Sequence, residues 1–229
     1  MTNELLFFLT TIVNFSMVLA FYRFFGKVGL FAWMGIATVI ANIEVIKCCD
    51  MFGMAVALGN VAYGSVFLAT DILNEMYGGK EARKAVRLGF FALVAYTVMI
   101  QAALLFIPNA EDFASEPMKA IFSFAPRICV TSIGCYWVSN MLNTYLYQFF
   151  KKHFKPMWMR NNLATIIAQF VDTVAFTFIA FGGMFDLKTK IEIIVTAYIM
   201  KVIVAALDTP FLYFARWMNE KYNLKRLDK

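Results

Sequence analysis

An all-α polytopic membrane bundle of about seven transmembrane helices is the fold class the sequence predicts, and three observations predict it. The 229 residues are 61% hydrophobic and only 16% charged, where an ordinary soluble domain carries roughly 25% charge. Apolar runs of about 20 residues, the length that crosses a 30 Å hydrocarbon core, recur along almost the whole chain. The Lys and Arg residues alternate between connections, with fifteen of the 21 on one side and five on the other, as the positive-inside rule requires of a correct span count. A single domain over residues 1–229 follows, with the N-terminus outside and the C-terminus in the cytoplasm.

Gly, Pro and charge breaks place the spans at roughly 5–26, 29–48, 56–78, 82–107, 124–151, 161–183 and 190–218. In the first, no basic residue precedes the apolar run and Arg23 follows it, so a retained helix is expected rather than a cleaved leader. The second ends in "ANIEVIK", where Asn42, Glu44 and Lys47 approach the outer mouth. The third holds Gly53, Gly59, Asn60 and Gly64, which mark either a helix break or close packing of small residues. The same span carries Asp71 about 10 Å before Gly78-Gly79, and Glu75 one turn further on the same face. Glu75 is within reach of Arg83 or Arg87, so it serves either as a pin for that hairpin or as part of a site. Between the fourth and fifth spans, "IPNAEDFASEPMKAIFSF" is the one sizeable polar connection, and a short interfacial helix ending near Pro126 is expected in it. The sixth span places Asp172 near its midpoint with Gln169 three residues before it. The seventh buries Lys201 about 14–17 Å deep, with Asp208 two turns on. Pro210 cannot donate to the carbonyl of Ala206, so the helix is expected to kink or open at "LDTP". The tail 219–229 is basic and reads as an orientation-fixing end on anionic lipid; the net charge of +6 needs no nucleic-acid partner.

A charge at mid-bilayer costs about 2.5–3.5 kcal/mol on insertion scales. The acids Asp71, Glu75, Asp172 and Asp208, set against Lys201, therefore predict a polar cavity for a solute rich in hydrogen-bond donors, with aromatic walls. Asp71, Asp172 and Lys201 are expected to face one shared void. No cofactor or metal site is signalled: the four cysteines lack paired spacing, the one histidine, His153, lies in a basic loop, and there is no phosphate-binding loop for ATP.

"FLATDILNEMYGGKEARKAV", "QFVDTVAFTFIAF" and "KVIVAALDTP", in that order and spacing, resemble the queuosine precursor transporter family, grouped with the vitamin uptake transporters. The likeness runs from about Asn42 to Pro210. It implies a bacterial inner-membrane carrier, not an enzyme, that imports 7-deazaguanine bases such as the cyano and aminomethyl precursors or queuine. It also implies a six-helix core at about 29–218 preceded by an added helix at 5–26. The family's motif positions fall on Asn42, Lys47, Asp71, Glu75, Gln169, Asp172, Lys201 and Asp208; Glu44 departs from the motif. In this reading Asp172 or Asp71 grips the guanine-like edge, Gln169 and Lys201 complete it, and Tyr63, Phe67, Phe170 or Phe176 stacks on the ring, with Asn60 nearby. Alternating access would hinge at Pro210 and at the glycines of the third span. A homodimer is compatible with the sequence, and proton coupling is left open.

Two other classes compete. A substrate-binding subunit of an energy-coupling-factor importer would dock through A-x-x-x-A stripes such as "ATVIA" (37–41) and "ATIIA" (164–168). An intramembrane aspartyl protease would need Asp71 and Asp172 as a dyad, though the G-x-G-D context is absent.

Overall fold

The computed structural model describes residues 2–45, 47–51, 53–122, 126–180, 182–183 and 186–225. Its helices are α1 (Asn3–Glu44), α2 (Gly59–Met76), α3 (Gly79–Ala103), α4 (Ser115–Phe122), α5 (Pro126–His153), α6 (Met157–Ala180) and α7 (Leu187–Tyr222); a short hairpin of β1 (Cys48–Met51) and β2 (Met54–Ala57) separates α1 from α2. Residues 124 and 181 and the tail positions Arg226 and Lys229, which the expected spans and tail include, lie outside the described residues.

α1 is two helices folded back on each other at Gly26, whose φ of 57° and ψ of −137° belong to a region only glycine enters freely. In a straight helix Phe21 and Trp33 would be about 18 Å apart; here their rings sit 5.4 Å apart, edge to face. The first two expected spans are thus the two arms of α1. The reversal also brings Asn3 back to the hairpin, where its Nδ2 donates to the carbonyl of Asp50 at 2.9 Å.

The hairpin corrects the expected spans at 29–48 and 56–78. Cys48 pairs with Ala57 and Met51 with Met54, and Gly53 turns the chain with φ of 73°. The apolar run after Gly53 reads as the start of a helix, but a short apolar run does not distinguish helix from strand. α2 begins only at Gly59. It runs unbroken, so the glycines there serve packing: at Gly64, Val204 of α7 fills the space where a side chain would stand.

α2 is the centre of the bundle. Every residue from Gly64 to Asn74 is buried, and α1, α3, α5 and α7 pack around it. α6 packs on α5 and α7 but hardly touches α2 backbone to backbone. The interior is polar where a soluble core would be apolar: Asp71, Asn74, Ser139, Asn140, Asn143, Asn161 and Asp208 are all at or below 1% exposure. Phe24, Phe91, Val98, Met99 and Phe149 instead face outward. That inversion suits a lipid surround. α1, α3 and α6 are each long and apolar enough to cross a membrane. α4 stands in the connection where a short helix is expected, capped by Asp112, whose carboxyl accepts from the hydroxyl of Ser115 and from the backbone of Ala114 and Ser115. Those bonds, the Ser115 hydroxyl foremost, hold it below the usual carboxylate range.

At one end of the bundle the basic connections converge. Lys27 pairs with Glu81 at 3.3 Å, and the Arg23 guanidinium lies 3.9 Å from the centre of the Tyr222 ring. α7 departs from expectation at Pro210: the helix continues through it. Asn161 and Asn162 of α6 hold the preceding turn, bonding Asp208 at 2.6 Å and Thr209 at 2.8 Å. Such lateral support is what lets a buried helix tolerate proline.

Candidate functional site

Polar side chains bridge the space between α2 and α6 in layers, with α5 and α7 closing the sides. α2 and α5 run one way along the bundle and α6 the other, so matching positions recur at helical spacing.

The first layer is built on Asp172. Its Oδ2 receives the Lys201 ammonium of α7 at 2.5 Å, and its Oδ1 receives the Tyr63 hydroxyl of α2 at 3.2 Å. That hydroxyl also bonds Ser139 at 2.8 Å and accepts from Asn140 of α5 at 3.3 Å. Lys201 and Asp172 are 10% and 8% exposed at their side chains, so the pair is largely withdrawn from solvent. Tyr63 meets Phe67 edge to face, with ring centres 5.3 Å apart, and Lys201 lies 5.5 Å from the Tyr63 ring centre. Asp172 and Ser139 border a mainly apolar cleft of about 290 Å³ between α5 and α6 that opens outward, its lining including Thr131, Cys135, Val171 and the exposed Val130, Val138 and Ile179. This is close to the small end of ordinary ligand pockets, about 300 Å³. Gln169, 3% exposed and one turn from Asp172, keeps an amide oxygen without a donor among the described residues.

The second layer is built on Asp71, whose Oδ1 accepts from Asn143 at 2.8 Å and whose Oδ2 accepts from Thr165 at 3.2 Å. Thr165 and Asp172 are seven residues apart on α6, about 10 Å along its axis. Asp172 and Lys201 therefore meet, and Asp71 belongs to a separate layer; the single void expected for all three is not what forms. The same separation removes the geometry of a two-aspartate dyad. Asp208 lies beside this layer, against Asn161.

The third layer is built on Glu75. Its partners are Arg160 at 2.8 Å, Lys151 at 3.1 Å and the Tyr147 hydroxyl at 3.3 Å, not Arg83 or Arg87. Arg83 instead stacks on Tyr145. Because Arg160 comes from α6 and Lys151 from α5, Glu75 joins three helices rather than one hairpin. Gln148 and Lys151 add bonds to the Asn74 and Glu75 backbone there.

Asn42 bonds only the Thr38 carbonyl of its own helix among the contacts described, Lys47 is exposed beside the hairpin, and Asn60 is half-buried at the start of α2. Phe176 is half-buried on α6. Phe170 is 49% exposed and meets Tyr198, so it stands on the outer side of α6 while Gln169 and Asp172 point in. The reading from sequence missed Ser139, Asn140, Asn143, Tyr147, Arg160, Asn161 and Thr165. The α5 members were detectable: Ser139, Asn140, Asn143, Tyr147 and Lys151 recur at three- and four-residue steps, one polar stripe on a membrane helix.

Both A-x-x-x-A stripes are interior, with Ala37, Ala41, Ala164 and Ala168 buried, so neither offers a docking surface.

The family described as "Putative vitamin uptake transporter" matches residues 57–215, which contain all three polar layers. A "Probable queuosine precursor transporter" of Bacillus subtilis (strain 168) is 40% identical over 221 residues, 95% of this chain and 96% of the relative. A "Queuosine precursor transporter" of Escherichia coli (strain K12) is 23% identical over 162 residues, 68% of this chain and 70% of the relative. No solved structure matches the chain.

Proposed function

Since the chain belongs to the vitamin uptake transporter family and groups with its queuosine precursor transporters, we propose that it imports a 7-deazaguanine base, such as the cyano or aminomethyl precursor or queuine, across the bacterial inner membrane. The two arms of α1 together with α2, α3, α5, α6 and α7 are the seven crossings, with the Asn3 end outside and the Tyr222 end in the cytoplasm. The observation that carries the proposal is the carboxylate of Asp172, held by Lys201 and Tyr63 in the wall of a cleft.

The chemistry of that carboxylate matches the substrate. A 7-deazaguanine edge presents a ring N–H and an exocyclic NH₂ beside a carbonyl oxygen. An ionised carboxylate has about four acceptor positions; Lys201 and Tyr63 take two and leave room for both base donors. The Lys201 ammonium has three protons, enough to serve the base carbonyl without leaving Asp172. Gln169 adds an amide oxygen that needs a donor, and the apolar lining of the cleft, Val138, Val171 and Ile179 among it, would face the ring. The ion-paired third layer lies beyond the Asp71 layer, and alternating access would part it.

The test is uptake of labelled base in precursor-starved bacteria expressing this chain alone. Uptake without added partner proteins is expected, and Asp172→Ala should abolish it while folded protein stays in the membrane. Wild-type uptake and affinity in that variant would remove Asp172 from the site. A requirement for a separate ATPase would replace the solitary carrier with an energy-coupling-factor subunit.

A further inference from the structure

Two buried carboxyls play no part in gripping the base. Asp71 accepts from Asn143 and Thr165, and Asp208, 1% exposed, accepts from Asn161 at 2.6 Å. Thr165 and Asn161 lie one turn apart on the same face of α6, so the acids of α2 and α7 meet that helix within about 6 Å of axial rise. Among the described residues neither forms an ion pair, because the neighbouring cations are engaged elsewhere. Lys201, on α7 itself, holds Asp172. Arg160 of α6 and Lys151 of α5 hold Glu75, and Arg216 of α7 holds Glu220. Tyr147 of α5 donates to Glu75, and Arg23 of α1 lies on the Tyr222 ring.

Asn161 adds an independent observation. It is fully buried; its Nδ2 donates to Asp208, and its Oδ1 has no donor among the described residues. An amide facing a carboxylate makes one bond, but facing a carboxylic acid it makes two: amide N–H to acid carbonyl, and acid O–H to amide oxygen. Turning the amide over does not help, since the missing element is a donor on the acid. Two carboxyls that contact one helix a turn apart, neither in an ion pair among the described residues, also favour binding a proton.

We propose that Asp71 and Asp208 form a proton-binding site, with the proton on Asp208 donated to the Asn161 amide oxygen, and that this proton enters with the base and leaves into the cytoplasm. The coupling half of this inference rests on the import reading above. Asp208 and Lys201 are seven residues apart on α7, and Asn161 and Asp172 eleven apart on α6. A shift of α7 against α6 that opens Lys201 from Asp172 therefore also draws Asp208 from Asn161, which frees the acid to release its proton.

Infrared absorption of the purified protein at neutral pH tests the site without substrate: the carbonyl stretch of a protonated carboxyl should be present, and absent in Asp208→Asn. Asn161→Leu, which keeps both acids, should shift that band. In proteoliposomes with a trapped pH dye, the uncharged cyano base added outside should acidify the lumen. An inward gradient of one pH unit should raise accumulation about ten-fold for one proton per base. Asp208→Asn, checked for folding by far-ultraviolet circular dichroism, should lose both responses. The inference is overturned by a spectrum without an Asp208-dependent carboxyl band, by base uptake without acidification, or by uptake that follows a sodium gradient at fixed pH. A band that vanishes in Asp208→Asn, found with no movement of base, would sink the import reading and leave the proton site standing.

Discussion

Replacing Asp172 by Asn tests the first layer most directly, because it keeps the side-chain shape and removes only the charge. Lys201 Nζ lies 2.5 Å from Asp172 Oδ2, with 10% and 8% of the two side chains exposed. At an effective dielectric of about 20 the gross attraction at that distance is about 7 kcal/mol. Desolvation of both ions offsets most of it, so the pair adds little net stability over a neutral one. Removing one member is different, since it strands a buried ammonium. The expected loss is about 3–5 kcal/mol for Asp172→Asn, and pairing it with Lys201→Gln should recover most of that loss. Equilibrium unfolding in mixed detergent micelles, followed by far-ultraviolet circular dichroism, measures all three variants against wild type. Binding of the cyano base, measured by calorimetry, should be lost in Asp172→Asn and should stay lost in the stable double variant. Wild-type stability in Asp172→Asn would refute the buried pair. Restored binding in the double variant would show that the carboxylate grips Lys201 and not the substrate.

Three further outcomes follow from other parts of the bundle. Tyr63→Phe keeps the ring against Phe67 but takes one charged hydrogen bond from Asp172, so base affinity should fall by about 1.5–3 kcal/mol in the same calorimetry; unchanged affinity would place the hydroxyl outside the site. Glu75→Gln strands Arg160, 7% exposed, and should cost about 3–5 kcal/mol in the unfolding assay, whereas Arg83→Gln should cost under about 1 kcal/mol; equal effects would contradict the three-helix junction. Gly26→Ala forces a side chain into backbone angles that only glycine adopts freely and should cost about 1–3 kcal/mol; a silent substitution would mean α1 does not reverse there.

The helices were legible in the sequence because membrane insertion writes them in composition: span length, Gly and Pro breaks and alternating Lys/Arg need no tertiary contact to be read. The hairpin at Cys48–Ala57 was not, since eight apolar-rich residues satisfy a helix end as well as a strand pair. Proline chemistry likewise predicts a break at Pro210, but the outcome depends on Asn161 and Asn162, which belong to another helix. Asp172 and Lys201 stand out in the sequence because a charge in lipid is conspicuous, and the structure pairs them. Their neighbours Ser139, Asn140, Asn143 and Thr165 are uncharged and cheap to insert, so each passes singly for packing. Only their common stripe on α5 or α6 betrays them.

The distance between layers could be read from spacing but not its meaning. Seven residues separate Asp172 from Thr165 on α6, and seven separate Lys201 from Asp208 on α7. Thr165 meets Asp71 of α2, whereas Asp208 meets α6 at Asn161, eleven residues from Asp172, so the α6–α7 seam carries an ion pair and an acid–amide pair at unequal steps on its two helices. If a single void had gathered all the acids, a bound base would compete with the proton for one carboxylate. Two layers joined by stiff helices let both bind together, and because the same two helices carry both, movement at the seam must act on both. On the two proposals above, the arrangement would supply what co-transport requires of a carrier: separate sites and one shared motion.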